Sequence, residues 1–81
     1  MELIEFTEYL GKGIVSNPDL VKVQSFKGDE ESTILEIIVS KDDMGAVIGR
    51  NGKMASSIRT MVLAYAYIHK LKNIKINIDS F

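Results

Sequence analysis

Within this chain of 81 residues, Gly49-Arg50-Asn51-Gly52-Lys53 is the stretch whose residue types and spacing could do chemistry. Two glycines three residues apart bracket a polar pair, after the apolar Val47-Ile48 and before an amphipathic helical pattern. Glycine at both corners lets the backbone take positive φ and leaves no Cβ to hold a ligand away. A helix that begins at about Lys53 turns its unpaired N–H groups and the positive end of its dipole toward the loop. Arg50 and Lys53 add cationic side chains, and Asn51 either donates a hydrogen bond or tolerates the turn. The chemistry so described is the binding of an anion. Arg59, about two turns further on, either flanks the same region or is a solvated surface arginine.

Other chemistries are poorly served. The chain has no cysteine, so disulfides and thiolate metal sites are excluded, and a single histidine, His69, does not make a metal site unless carboxylates join it. A P-loop needs glycine at position 47 and Ser or Thr at 54, where Val47 and Met54 stand, and a dinucleotide fingerprint needs its glycines directly after a strand. Catalysis asks for titratable groups with separated pKa values in a pocket, and the carboxylates here fall mostly on turns and strands. No enzyme, metal or cofactor is expected. No run reaches the ~18 apolar residues of a membrane span, and Met1-Glu2-Leu3-Ile4-Glu5 is acidic where a secretory signal would be basic. A cytoplasmic protein with no membrane partner is expected.

The net charge of -1 conceals a division. Residues 1–43 carry ten acids against four lysines, a net of -6, whereas residues 44–81 carry six cations against Asp79 alone, a net of +5. Such asymmetry either marks contact with nucleic acid through one half of a domain or describes two ordinary solvated faces.

The elements that must position the loop follow from periodicity. Leu3, Phe6, Leu10 and Ile14 form one stripe of a helix over 2–15, weakened by Gly11 and Gly13 and stopped at Ser16-Asn17-Pro18. Val21 and Val23 alternate with Lys22 and Gln24 in a strand over 20–27. After a charged turn, the β-branched run Ile34, Leu35, Ile37, Ile38, Val39 is too apolar for an edge and is placed centrally. Ser40-Lys41-Asp42-Asp43 supplies caps for a short helix through Met44, Val47 and Ile48. A longer helix from Lys53 to Lys72 carries Met54, Ile58, Met61, Val62, Tyr65 and Ile68, with Lys70 and Lys72 complementing its C-terminal dipole. Ile74, Ile76 and Ile78 then alternate with polar residues in a third strand. The first strand should run antiparallel to the second, and the second and third should be parallel near neighbours. One α+β domain over residues 1–81 results, with a three-stranded mixed sheet covered on one face by three helices.

Val47-Ile48-Gly49-Arg50-Asn51-Gly52, set between two helices and followed by a strand, resembles the I-G-x-x-G signature of KH domains. The helix–strand–strand–helix–helix–strand order resembles their type II, bacterial form. The approach from Asp43-Met44-Gly45 and the following Ile58-Arg59-Thr60 are similar to the small stand-alone bacterial KH proteins of the KhpA-like family. One departure is Ala55, where many KH domains have isoleucine, with Met54 and Ile58 available to fill the space.

The resemblance implies a non-catalytic protein that holds about four nucleotides of single-stranded RNA in a groove, with the glycine loop clamping the backbone. The implied RNA-binding residues are Ile48, Gly49, Arg50, Asn51, Gly52, Lys53 and Arg59. The opposite wall is assigned to the second strand and first helix, with Val47, Ile48, Ile37 and Ile38 as candidates or as plain core. A single module binds weakly, so several acting together are expected. Leu63, Ala64, Ala66 and Tyr67 widen the apolar arc of the last helix, so Leu63, Ala66 and Tyr67 are predicted to pair the domain with a second copy or with a larger KH-containing protein, the alternative being that the arc packs under the N-terminal helix. The alternative is a protein-interaction adaptor of KH-like fold whose nucleic-acid binding is vestigial.

Overall fold

A computed structural model describes residues 2–81; Met1, the first residue of the acidic start, lies outside them. The chain forms α1 (Leu3–Lys12), β1 (Lys22–Lys27), β2 (Thr33–Val39), α2 (Met44–Ile48), α3 (Lys53–Ile68) and β3 (Ile74–Ser80), with short 3-10 turns in the connections. The sheet order is β1-β2-β3, so the apolar β2 is central. β1 and β2 are antiparallel, from Lys22 opposite Ile38 to Lys27 opposite Thr33. β2 and β3 are parallel, from Thr33 opposite Ile74 to Val39 opposite Ser80. The α+β architecture and strand directions expected from the pattern are those observed.

One face of β2, Leu35, Ile37 and Val39, is buried beneath the helices together with Val21, Val47, Ile58 and Val62. Ile37 and Val47 are therefore core residues and do not line a groove. Ile38 belongs to the other face of the sheet, half-buried opposite Lys22 and Asp79. α1 lies over β1 and β2 while α3 lies over β3, and the two helices meet where the rings of Phe6 and Tyr65 stack with centroids 4.3 Å apart.

Two boundaries differ from expectation, each for a local reason. α1 ends at Lys12, and Gly11 is not its breaker: it is buried, and a Cβ there would come within 3.3 Å of the Val21 side chain, so its smallness lets the helix approach. α3 stops at Ile68, four residues before Lys72. Lys70 takes φ 60, its N–H donates to the Tyr67 carbonyl (3.0 Å), and the Leu71 N–H donates to the Ala66 carbonyl (2.8 Å). That is the Schellman arrangement, which reverses the chain and places Lys70 and Lys72 beyond the helix.

The buried line of α3 is Ala55, Ile58, Val62 and Ala66, in which small residues bring the helix close to the sheet. Ala55 itself packs inside, so Met54 is not recruited to fill its place and stays exposed.

Candidate nucleic-acid interface

The loop between α2 and α3 is built by residues that accept left-handed backbone. Gly49 has φ 73 and ψ -179, Asn51 has φ 54, and Gly52 has φ 72. A Cβ on Gly49 would lie 2.6 Å from the Cβ and 2.9 Å from the backbone nitrogen of Met54. No side chain fits there. Gly52 is different: a Cβ would meet nothing within 4 Å, and only its positive φ asks for glycine. The Gly49 N–H donates to the Gly45 carbonyl (2.9 Å) and the Gly52 N–H to the Gly49 carbonyl (3.3 Å), so the turn is tied internally. The Lys53 N–H donates to the Arg50 carbonyl, which removes one of the helix-start donors that the sequence offered to a ligand.

Ile48, Arg50, Asn51, Lys53 and Arg59 are all exposed, and Gly49 and Gly52 are half-buried beneath them. The one ion pair among the described residues joins Lys12 and Glu8 at 3.5 Å, so Arg50, Lys53 and Arg59 are uncommitted cations. At 3.6 residues per turn, Arg59, Leu63 and Tyr67 run down the flank of α3 that faces away from α1. α3 lies over β3, an edge strand whose Ile74, Ile76 and Ile78 are only half-buried. The structure thus brings Ile48, the loop and Arg59 to one side of the helical layer. Of the wall residues expected on the second strand, Ile37 is core, and the strand that leaves apolar side chains partly open beside α3 is the edge strand β3.

The predicted pairing residues separate. Ala66 is 1% exposed and belongs to the domain's own core, because its four-residue spacing from Val62 continues the buried line. Leu63 and Tyr67 are exposed on the Arg59 flank. A different apolar surface lies on the α1 side, a groove of about 510 Å³ lined by Tyr9, Leu10, Ile14, Met54 and Met61 among others. Periodicity alone placed Met54 and Met61 toward the sheet; the partnership of α1 with α3 leaves them at a groove instead.

Asp43 is the positioning residue that sequence reading misassigned. It does not cap α2 through its side chain. Its buried carboxylate accepts the Ser16 N–H (3.0 Å), the Asn17 N–H and Nδ2 (3.1 Å each) and the Ser40 hydroxyl (2.9 Å). The exit from α1 is thereby latched to the entry into α2, and α2 leads straight into the glycine loop. The Ser16 N–H, with the Ser40 and Asn17 donors, holds the carboxyl below its ordinary pKa against burial, which pushes the other way. No sequence signal marks partners 26 and 27 residues away.

Fold and loop together define a KH domain of type II. The family model of the KhpA/KhpB KH domain matches residues 4–79, and the chain belongs to that family. A Streptomyces coelicolor relative named RNA-binding protein KhpA is 50% identical over 60 residues, 74% of this chain and 75% of its own. Relatives of the same name from Borreliella burgdorferi and Caldanaerobacter subterraneus are 46% identical over 63 residues (78% and 76% of the two chains) and 42% over 66 residues (82% and 87%). No solved structure matches the chain. The family is one of non-catalytic KH proteins, and no helix among the described residues is long and apolar enough to cross a membrane.

Proposed function

We propose that this protein binds single-stranded RNA, with Gly49-Arg50-Asn51-Gly52 clamping the phosphate backbone and the β3 edge facing the bases, in post-transcriptional control in the cytoplasm. The observation that carries this reading is the Gly49 corner. That turn, packed against Met54 and open at Gly52, stands beside the unpaired cations Arg50 and Lys53 at the start of a helix, with Arg59 about two turns on, which favours close approach of a phosphate chain. The names of the relatives support RNA as the ligand. With few cationic groups the affinity is modest and falls with salt.

The decisive variant leaves both glycines alone. Arg50→Asp with Asn51→Asp reverses the loop's charge at two exposed positions, and aspartate tolerates the left-handed conformation of position 51. Titrating labelled RNA oligomers at low salt should show a loss of about 10- to 100-fold, with a salt slope lower by about 1 to 2. Equal affinity for a folded double variant would overturn the clamp. Absence of RNA binding by the wild type even at low salt would leave the adaptor reading.

Pairing with a second copy, or with another KH protein, is proposed through the apolar groove of Tyr9, Met54 and Met61. Light scattering should give twice the 9.0 kDa chain mass for the homodimer, and Met61→Glu should return it to one chain. A single-chain mass for the wild type at micromolar concentration would remove the homodimer.

A further inference from the structure

The exit of α3 forms a second corner with a composition of its own. Tyr67, Ile68, Lys70, Leu71 and Lys72 line a depression of about 510 Å³, within the size range of small-ligand sites. Tyr67 is 83% exposed, whereas Tyr65, two residues earlier, is stacked on Phe6 and lies tilted against His69. Two lysines and no acid line the depression, and neither lysine is in an ion pair among the described residues. Lys70 holds its charge at the left-handed position that ends the helix, where glycine is the usual residue. A row of α3 residues, Arg59, Leu63 and Tyr67, spaced by four and turning about 40° at each step, runs from the loop end of the helix to this corner. From Gly52 to Tyr67 the helix rises about 22 Å.

We infer that this corner takes a further nucleotide of the strand held by the glycine loop: its base stacks on Tyr67 and its phosphate lies between Lys70 and Lys72. This rests on the RNA-binding reading and extends the contact beyond a four-nucleotide clamp. An aromatic face accepts any base, so the corner lengthens the bound segment without reading sequence. The cations, with no acid among them, favour a phosphate chain over an apolar protein surface.

The probes are oligoadenylates of four and eight nucleotides, and the readouts are affinity, thermal midpoint and light scattering. Wild type should bind the octamer at least about fivefold more tightly than the tetramer. Tyr67→Ala should weaken the octamer about tenfold and leave the tetramer unchanged. Tyr67→Trp keeps an aromatic ring and creates the only tryptophan of the chain; its fluorescence should be quenched by the octamer and not by the tetramer. Lys70→Gly removes a charge while relieving the left-handed backbone, so it should weaken the octamer and raise the thermal midpoint by about 4 °C.

Equal binding of the two lengths by wild type, or equal loss of both in Tyr67→Ala, would overturn the corner and leave the clamp standing. Loss of pairing in Tyr67→Ala with unchanged octamer affinity would make the corner a protein interface and likewise overturn it. Failure of the wild type to bind either length would remove clamp and corner together.

Discussion

The two ends of α3 solve similar backbone problems with different residues. At its start the chain is left-handed at Gly49, Asn51 and Gly52, and at its exit it is left-handed at Lys70 and Asn73. Both turns carry lysine or arginine. The difference is in the Cβ. At Gly49 the backbone is pressed against Met54 and no side chain fits, whereas at Lys70 a long side chain is carried in spite of the conformation. The first turn can offer a ligand its bare backbone, and the second can offer only side chains. A backbone contact of the first kind is intolerant of substitution; a side-chain contact of the second kind can be strengthened or removed one group at a time.

The sharpest way to break this contrast is Gly49→Ala. The added Cβ meets Met54 as well as an unfavourable φ, so unfolding in urea should show a loss of about 3 kcal/mol, and the thermal midpoint should fall by more than about 10 °C. An unchanged midpoint would mean that the loop can move off Met54 and that the corner is not built around a missing side chain.

Asp43→Asn tests how the glycine end is held. It should lower the midpoint at neutral pH by less than Gly49→Ala does, because the amide can keep only part of the carboxylate's bonds. The wild-type carboxyl titrates below its ordinary value of 3.8, so its ionised form favours the fold. That contribution is complete above about pH 5 and is lost as pH falls through 3.8 and below. Thermal melts of wild type and Asp43→Asn should therefore converge in acid. Parallel profiles would show that the latch does not act through the ionised carboxylate.

Gly52→Ala should be milder, about 1 kcal/mol, since space is open and only the positive φ resists. If it matched Gly49→Ala, the distinction between the two glycines would collapse.

Much of the fold was legible because its signals are local. The alternation of Ile74, Ile76 and Ile78 announced β3, the unbroken run from Ile34 to Val39 announced a central strand, and two glycines three apart announced the loop. The boundary of α3 was less legible. Its stop depends on Lys70 adopting a conformation that the sequence alone assigns to glycine, so the apolar pattern ran on to Lys72 unchecked. The candidate site divided in the same way. Its glycines and cations could be read directly, while the wall opposite them could not.

Composition and spacing by themselves determined the element order, the KH resemblance, the glycine-and-cation make-up of residues 49–53 and the basic surplus after residue 43. These properties follow from backbone preferences and charges that act within a few residues of one another. Only the tertiary structure decided that Ala66 is core while Tyr67 is surface, that Met54 and Met61 border a groove, that α3 packs on a half-buried edge strand β3, and that Asp43 ties the exit of α1 to the entry of α2. Each of these depends on which helix face meets the sheet and on partners far apart along the chain, and packing sets that choice where local preference is indifferent.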